Sequence, residues 1–190
     1  MYCRFCNSKI NNSFLDLGHA PPSNSYLCKE NLFKSELYFP LKVGVCTNCW
    51  LVQTEDFINE EELFTKDYAY LSSVSKTWLD HCESFVNKII EELNLSSKSL
   101  VLEVAANDGY LLQYFKNKSI PCIGVEPTAY AANIAKGKGL KILNEFFTFK
   151  NATKFIERFR KVDLVIGNNV FAHVPDIKDF TLALKKIINK

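Results

Sequence analysis

Residues 101–112, VLEVAANDGYLL, decide how the rest of the chain is read. Val101–Val104 is an apolar run of the kind that forms a buried strand. Ala105–Gly109 is a turn-forming cluster, and Tyr110–Leu112 opens a new apolar pattern, as at the start of a helix. A strand that passes straight into a helix puts its loop at the carboxyl end of a sheet, where α/β proteins hold cofactors. The dinucleotide fingerprint needs three glycines there, so that backbone and helix N-terminus can close on a pyrophosphate. Here Ala105, Asn107 and Tyr110 stand at those positions, so the loop does not predict a phosphate grip.

Downstream, strands and helices alternate. SLVLEV is followed by a helix over about 109–117, PCIGVE by one over about 128–136, LKIL by one near 151–159, and DLVIGN by one from about 176. This alternation predicts a parallel sheet covered on both faces. EVAANDG, VEP and GNNVFAHVP all fall at carboxyl ends of strands. Glu126 closes the second strand, 23 residues after Glu103, where a carboxylate can accept hydrogen bonds from both ribose hydroxyls of a nucleoside. A strand-end Glu also occurs as an ordinary solvated residue. A site that takes a nucleoside but not its phosphates suits S-adenosylmethionine, whose ammonium would be matched by Glu103 and Asp108.

Upstream, four of the seven cysteines form two CxxC pairs, Cys3-Cys6 and Cys46-Cys49. Two intervening residues let both thiolates of a tight turn face one ion, and two such turns complete the closed four-sulfur shell of structural zinc. A closed shell has no open position for water or substrate, so the metal would hold fold and do no chemistry. Cys28, Cys82 and Cys122 lack partners at ligand spacing and are expected as small core residues. His19, in LGHAPP, is expected in a loop.

Residues 1–58 are short alternating pieces, expected as a small β-rich zinc-binding module. Residues 59–98 are expected as a helical linker, beginning with the Asn59 N-cap and acidic Glu60–Glu62. Its apolar face would be Trp78, Cys82, Phe85, Ile89 and Leu93. Residues 99–190 would carry the α/β part. The 190 residues, 47% apolar and 23% charged, suffice for a buried core. Lys+Arg number 23 against 21 Asp+Glu, a formal charge of +2, which gives no electrostatic pull toward nucleic acid or anionic lipid. MYCRFCNSK is no secretion signal and no run is long enough for a membrane span, so a cytoplasmic address is expected.

The order CRFC, LDLGHAPPSNSYL, YFPLKVGVCTNCWLVQ, DYAYLSSVSKTWLDH, VLEVAANDGYLLQYF, IGVEP and NNVFAHVPDIKDF resembles the S-adenosylmethionine-dependent sugar C-methyltransferases over nearly the whole chain. That resemblance implies a nucleotide-linked keto-deoxysugar substrate and a Rossmann-like methyltransferase domain behind a zinc-binding module. It implies structural zinc on the four cysteines. It also implies that Glu103, Asn107, Asp108, Gly109, Glu126, Pro127, Asn168, Asn169 and Val170 surround the cofactor. Tyr68 or Tyr70, in DYAYLSS, would border the substrate or pack at a junction.

The family's catalytic base is a histidine beyond the fourth strand, in a Tyr-His-Glu-His-type motif that does not occur here; His173 falls in the cofactor-side segment and is not expected to be the base. The family's sheet resembles seven strands, and four are present. DLVIGN is then expected as an apolar edge strand with an uncovered face. The chain is expected to be the N-terminal portion of an enzyme, truncated or completed by a C-terminal half on another polypeptide. The competing expectations are a zinc-ribbon interaction module and an inactive methyltransferase-like scaffold.

Overall fold

The computed structural model of the chain describes residues 1–57 and 70–189. It forms two compact units, Met1–Ala69 and a second made chiefly of Tyr70–Val174 and Lys178–Lys190. The predicted helix start at Asn59–Glu62 lies outside the described residues.

The first unit contains three antiparallel strands, β1 (Ser13–Ala20), β2 (Phe39–Val45) and β3 (Val52–Thr54), in the order β1-β2-β3. Its described buried cluster is small: Cys3, Ile10 and Cys46, with Met1, Cys6, Cys49 and Leu51 packed on it. Strand β1 is exposed along almost its entire length. His19 pairs with Pro40 inside β1 instead of lying in a loop, because the β1–β2 pairing continues past the irregularity between Asp16 and His19. Cys28 is exposed and not a core residue; it sits at the N-cap of a single 3-10 turn that buries nothing.

The second unit is built on β4 (Val101–Val104), β5 (Cys122–Val125), β6 (Lys141–Leu143) and β7 (Leu164–Ile166), all parallel, in the order β6-β5-β4-β7. Alternation along β4 assigns its side chains to two cores. Val101 joins Val86, Leu112, Phe115 and Ala135 on one face. Leu102 and Val104 join Phe155, Phe180 and Ile187 on the other. Five helices cover these faces: α1 (Lys76–Glu92), α2 (Leu112–Asn117), α3 (Ala129–Gly137), α4 (Phe149–Arg158) and α5 (Ile177–Ile187).

Helix α1, expected within a linker, packs into the second unit through Cys82 and Val86, flanked by Trp78, Phe85 and Ile89. Ser75 caps it by accepting from the Trp78 amide at 3.3 Å. Leu93 falls outside this face, at 47% exposure, because the helix ends at Glu92 and Leu93 is its C-cap. Helix α2 starts at Leu112, later than the expected 109, because Gly109 has φ of +77°. A Cβ there would also lie 2.2 Å from Leu140 Cδ1, so any side chain at this position is both strained and crowded.

Strand β7 is an edge among the described strands, as expected, but its faces are partly covered. Leu164 packs on one core and Val165 on the other. Beyond α5, the Asn189 amide donates to the Val162 carbonyl at 2.9 Å, extending the pairing beside this edge. No helix among the described residues is long and apolar enough to cross a membrane.

Candidate functional site

The two CxxC turns converge. The four sulfurs of Cys3, Cys6, Cys46 and Cys49 lie within 4.8 Å of one another, with Cys3–Cys49 and Cys6–Cys46 at 3.5 Å. A tetrahedral zinc with bonds of about 2.3 Å needs sulfurs about 3.8 Å apart, so the donor set fits that ion. Both turns have the same local build. The Asn7 amide returns to the Cys3 carbonyl at 2.9 Å and the Trp50 amide to the Cys46 carbonyl at 2.8 Å, and both residues are left-handed, at φ of 59° and 63°. Gln53 Nε2 donates to Cys3 Sγ at 3.3 Å while its Oε1 accepts from the Arg4 amide at 3.0 Å, orienting one ligand from outside the shell. Hydrogen bonds from Asn48 and then Ser8 lower the Cys6 thiol to about 5. The Leu51 amide also favours the Cys49 thiolate, but burial and the neighbouring sulfurs win and push it up to about 12. Thiols this close cannot all ionise without a cation among them.

The second site lies at the carboxyl ends of β4, β5 and β7. The chain runs from β4 outward through β5 and β6, then returns to the far side of β4 at β7, so the switch in strand order falls between β4 and its two neighbours. Glu126, just past β5, is 3% exposed. Its Oε2 accepts from the Asn107 amide at 2.8 Å, and its Oε1 from the Thr128 amide at 2.8 Å and from the Thr128 hydroxyl. The left-handed conformations of Ala105 and Asn107, at φ of 56° and 49°, aim the Asn107 amide toward it. Asn144 Nδ2 holds the Glu126 and Pro127 carbonyls at 2.7 and 2.9 Å.

Asn107 and Asp108 are engaged by the segment before α1. The Ser72 amide donates to Asn107 Oδ1 at 2.8 Å, and Asn107 Nδ2 donates to the Tyr70 carbonyl at 3.1 Å. The Ser73 hydroxyl donates to Asp108 Oδ2, which also pairs with Lys138 Nζ at 3.4 Å. Asp108 Oδ1 is buried without a partner, and Glu103, whose side chain is fully buried, has the Tyr110 hydroxyl as its one hydrogen-bonding neighbour among the described residues. Burial pushes the Glu103 carboxyl well above the usual range. The Tyr110 hydroxyl opposes this in part, and the Glu126 and Asp108 charges reinforce it. Burial, then Glu103, also raises Cys82 and Cys122 to about 11, keeping them neutral thiols; Cys82 is buried and Cys122 half-buried. Asn168 Nδ2 donates to Tyr110 Oη at 3.2 Å, tying the loop after β7 to the loop after β4.

Of the expected cofactor residues, Glu103, Asn107, Asp108, Gly109 and Glu126 are gathered and buried, and Pro127 and Asn168 border them half-buried. Asn169 is exposed with φ of 53°, and Val170 packs toward the core that holds Phe180. Tyr70 is 51% exposed while its carbonyl serves Asn107; Tyr68 lies outside the described residues. His173 is exposed at the end of a 3-10 turn, Phe171–His173. Thr128, Asn144, Lys138, Ser72 and Ser73 were not expected. Only Thr128 had a local signal, a Thr directly before a helix; the others come from segments distant in sequence.

The family described as "Putative zinc binding domain" matches residues 3–64. The chain is 29% identical, over 177 residues, to the C-methyltransferase NovU of Streptomyces niveus, covering 93% of this chain and 42% of that protein. It thus spans less than half the length of the curated relative it matches. Among solved structures, it is similar to the magnesium protoporphyrin IX methyltransferase of Synechocystis PCC 6803 with bound S-adenosylmethionine (16% identity, 58% of this chain and 54% of that one, TM-score 0.47). It is also similar to an S-adenosylmethionine-dependent methyltransferase of Clostridium acetobutylicum ATCC 824 (18% identity, 59% and 47%, TM-score 0.47). Residues 3–64 are thus similar to that domain, and over nearly all its length the chain is similar to part of a C-methyltransferase.

Proposed function

We propose that this chain is the cofactor-binding portion of an S-adenosylmethionine-dependent C-methyltransferase whose substrate is a nucleotide-linked keto-deoxysugar. One observation carries the cofactor reading: the Glu103 carboxyl lies close enough to Glu126 and Asp108 to feel both charges, and Asp108 Oδ1 is buried without a partner. Carboxyl groups placed so close together disfavour pyrophosphate, and a cation bound among them would favour the ionised form of Glu103. A nucleoside bearing an ammonium and a sulfonium matches them, whereas a dinucleotide does not. Glu126 would receive the ribose, Glu103 and Asp108 the ammonium, and Asn107, Gly109, Pro127, Asn168, Asn169 and Val170 the remaining walls. Bound there, the cofactor supplies an electrophilic methyl group.

This chain's own residues bind and orient, and none of the described ones in the cleft is placed as a free base. Methylation beside a sugar ketone requires removal of a carbon-bound proton and stabilisation of the resulting enolate. We assign both to a C-terminal portion, in keeping with the length of the relative beyond the matched region. Tyr70 is the described residue that would face the substrate. In this reading the four cysteines hold zinc for structure, and the address is cytoplasmic, where thiols stay reduced.

The test is calorimetric titration of S-adenosylhomocysteine into the purified chain. One binding event per chain is expected, competed by S-adenosylmethionine and not by NAD. Absence of binding, or competition by NAD, would withdraw the cofactor reading. Turnover of a keto-sugar only after adding a separately expressed C-terminal portion of a relative would support the division of labour. Turnover by this chain alone, abolished in His173→Ala, would overturn it.

A further inference from the structure

The hydroxyl of Thr128 has two possible partners and uses one. Thr128 is the N-cap of α3, with the extended backbone usual at that position, φ of −78° and ψ of 117°. A threonine there ordinarily accepts from an amide in the first turn of its helix. This one makes no such bond; its hydroxyl is turned back to donate to Glu126 Oε1, beside the Thr128 amide, which donates to the same oxygen.

A carboxylate has about four acceptor positions. Glu126 has given three to its own chain: two on Oε1 to Thr128 and one on Oε2 to the Asn107 amide. One position remains, on Oε2. Ribose presents two neighbouring hydroxyls. The first can take the remaining position; the second needs one that is already filled. Neither amide can leave without moving the backbone, whereas the Thr128 hydroxyl can leave by rotation about χ1 alone, and the first turn of α3 offers it another partner. Glu126 and Thr128 are 3% and 2% exposed, so no shell of water stands ready to be displaced instead.

Resting on the nucleoside reading of this cleft, we infer that Thr128 is a specificity-determining residue: its hydroxyl is the exchangeable donor that a ribose hydroxyl replaces on Glu126, and it therefore sets nucleoside affinity. Two consequences separate this role from a merely structural one. Thr128→Val, which keeps the shape and deletes the donor, should lower the melting temperature, because a buried charged acceptor loses a partner. The same change should tighten S-adenosylhomocysteine binding by roughly tenfold, because the ligand no longer competes with the protein for that position. Thr128→Ser should behave as the parent.

The experiment is calorimetry of S-adenosylhomocysteine, adenosine, 2′-deoxyadenosine and 3′-deoxyadenosine with the parent chain, Thr128→Val and Thr128→Ser, alongside thermal melts. Tighter binding with a lower melting temperature in the valine variant, and loss of the gain for the deoxynucleoside that lacks the exchanging hydroxyl, would establish the role. Binding by the parent that is unchanged or weakened in Thr128→Val would overturn this inference and leave the nucleoside site standing. Binding by none of the three proteins would overturn the nucleoside site itself, and this inference with it.

Discussion

The Asn107 amide donates to Glu126 Oε2 at 2.8 Å, joining the loop after β4 to the end of β5. The bond exists because Asn107 is left-handed, so its N–H points across to the neighbouring strand end instead of along its own turn. The residue expected to hold a ribose is thus also a clamp for the loop that would enclose the nucleoside. Glu126→Ala should cost both functions. It orphans the Asn107 and Thr128 amides, for a stability loss of about 2 kcal/mol or more, and weakens S-adenosylhomocysteine binding at least tenfold. Denaturant titration and calorimetry read the two losses separately; unchanged affinity with reduced stability would place the nucleoside elsewhere.

The described core of the first unit has three buried residues, two of which are the thiols Cys3 and Cys46. A cluster that small cannot offset the entropy of ordering the chain, so the metal should supply the difference. Elemental analysis should find about one zinc per chain. Cys46→Ser should lose it and release the amides of residues 1–57 to fast hydrogen exchange, while those of β4 and β5 stay protected. Full protection in metal-free protein would refute the structural role.

Glu103 makes stability depend on pH in a direction opposite to most carboxylates. Its folded pKa lies well above the ordinary 4.5, so the native state holds a proton that the unfolded state releases first. Its contribution is therefore complete below about pH 4.5 and declines as pH rises toward the folded pKa, with a slope of up to about 1.4 kcal/mol per pH unit. Glu103→Gln should flatten the melting temperature against pH above 4.5 and be the more stable protein at neutral pH. A parallel pH profile in the variant would show that Glu103 is ionised in the native state.

At Gly109 the constraint is both conformational and steric. Alanine would sit at φ of +77° with its Cβ 2.2 Å from Leu140 Cδ1 and 3.2 Å from Ala135 Cβ. Gly109→Ala should destabilise the second unit by about 1–3 kcal/mol and displace the loop that carries Asn107 and Asp108. Urea denaturation measures the first effect and S-adenosylhomocysteine affinity the second. An unchanged midpoint would mean that the turn relaxes freely.

The sequence by itself determined the layers and the cysteine donor set. Apolar strands alternating with helices were enough for the parallel sheet, since each pattern states which faces must be buried. Paired CxxC turns were enough for the four-sulfur cluster, since their spacing makes each pair local. Glu126 was legible from its place at a strand end. Tertiary structure decided what these groups do to one another. Nothing in Ser72, Ser73, Lys138 or Asn144 marks them as partners of Asn107, Asp108 and Glu126, because those bonds join segments 18 to 35 residues apart that meet only when the sheet forms. Helix α1 reads locally as a connector, yet its apolar face is needed to cover the core under Val101, so it belongs to the second unit. Leu93 continues the helical spacing but lies just past the last helical residue, where the chain turns and its side chain meets solvent. The left-handed turns at Ala105, Asn107 and Gly109, which give the loop its hold on Glu126, follow from closure against β5 and Leu140, and propensity alone would not assign them to alanine.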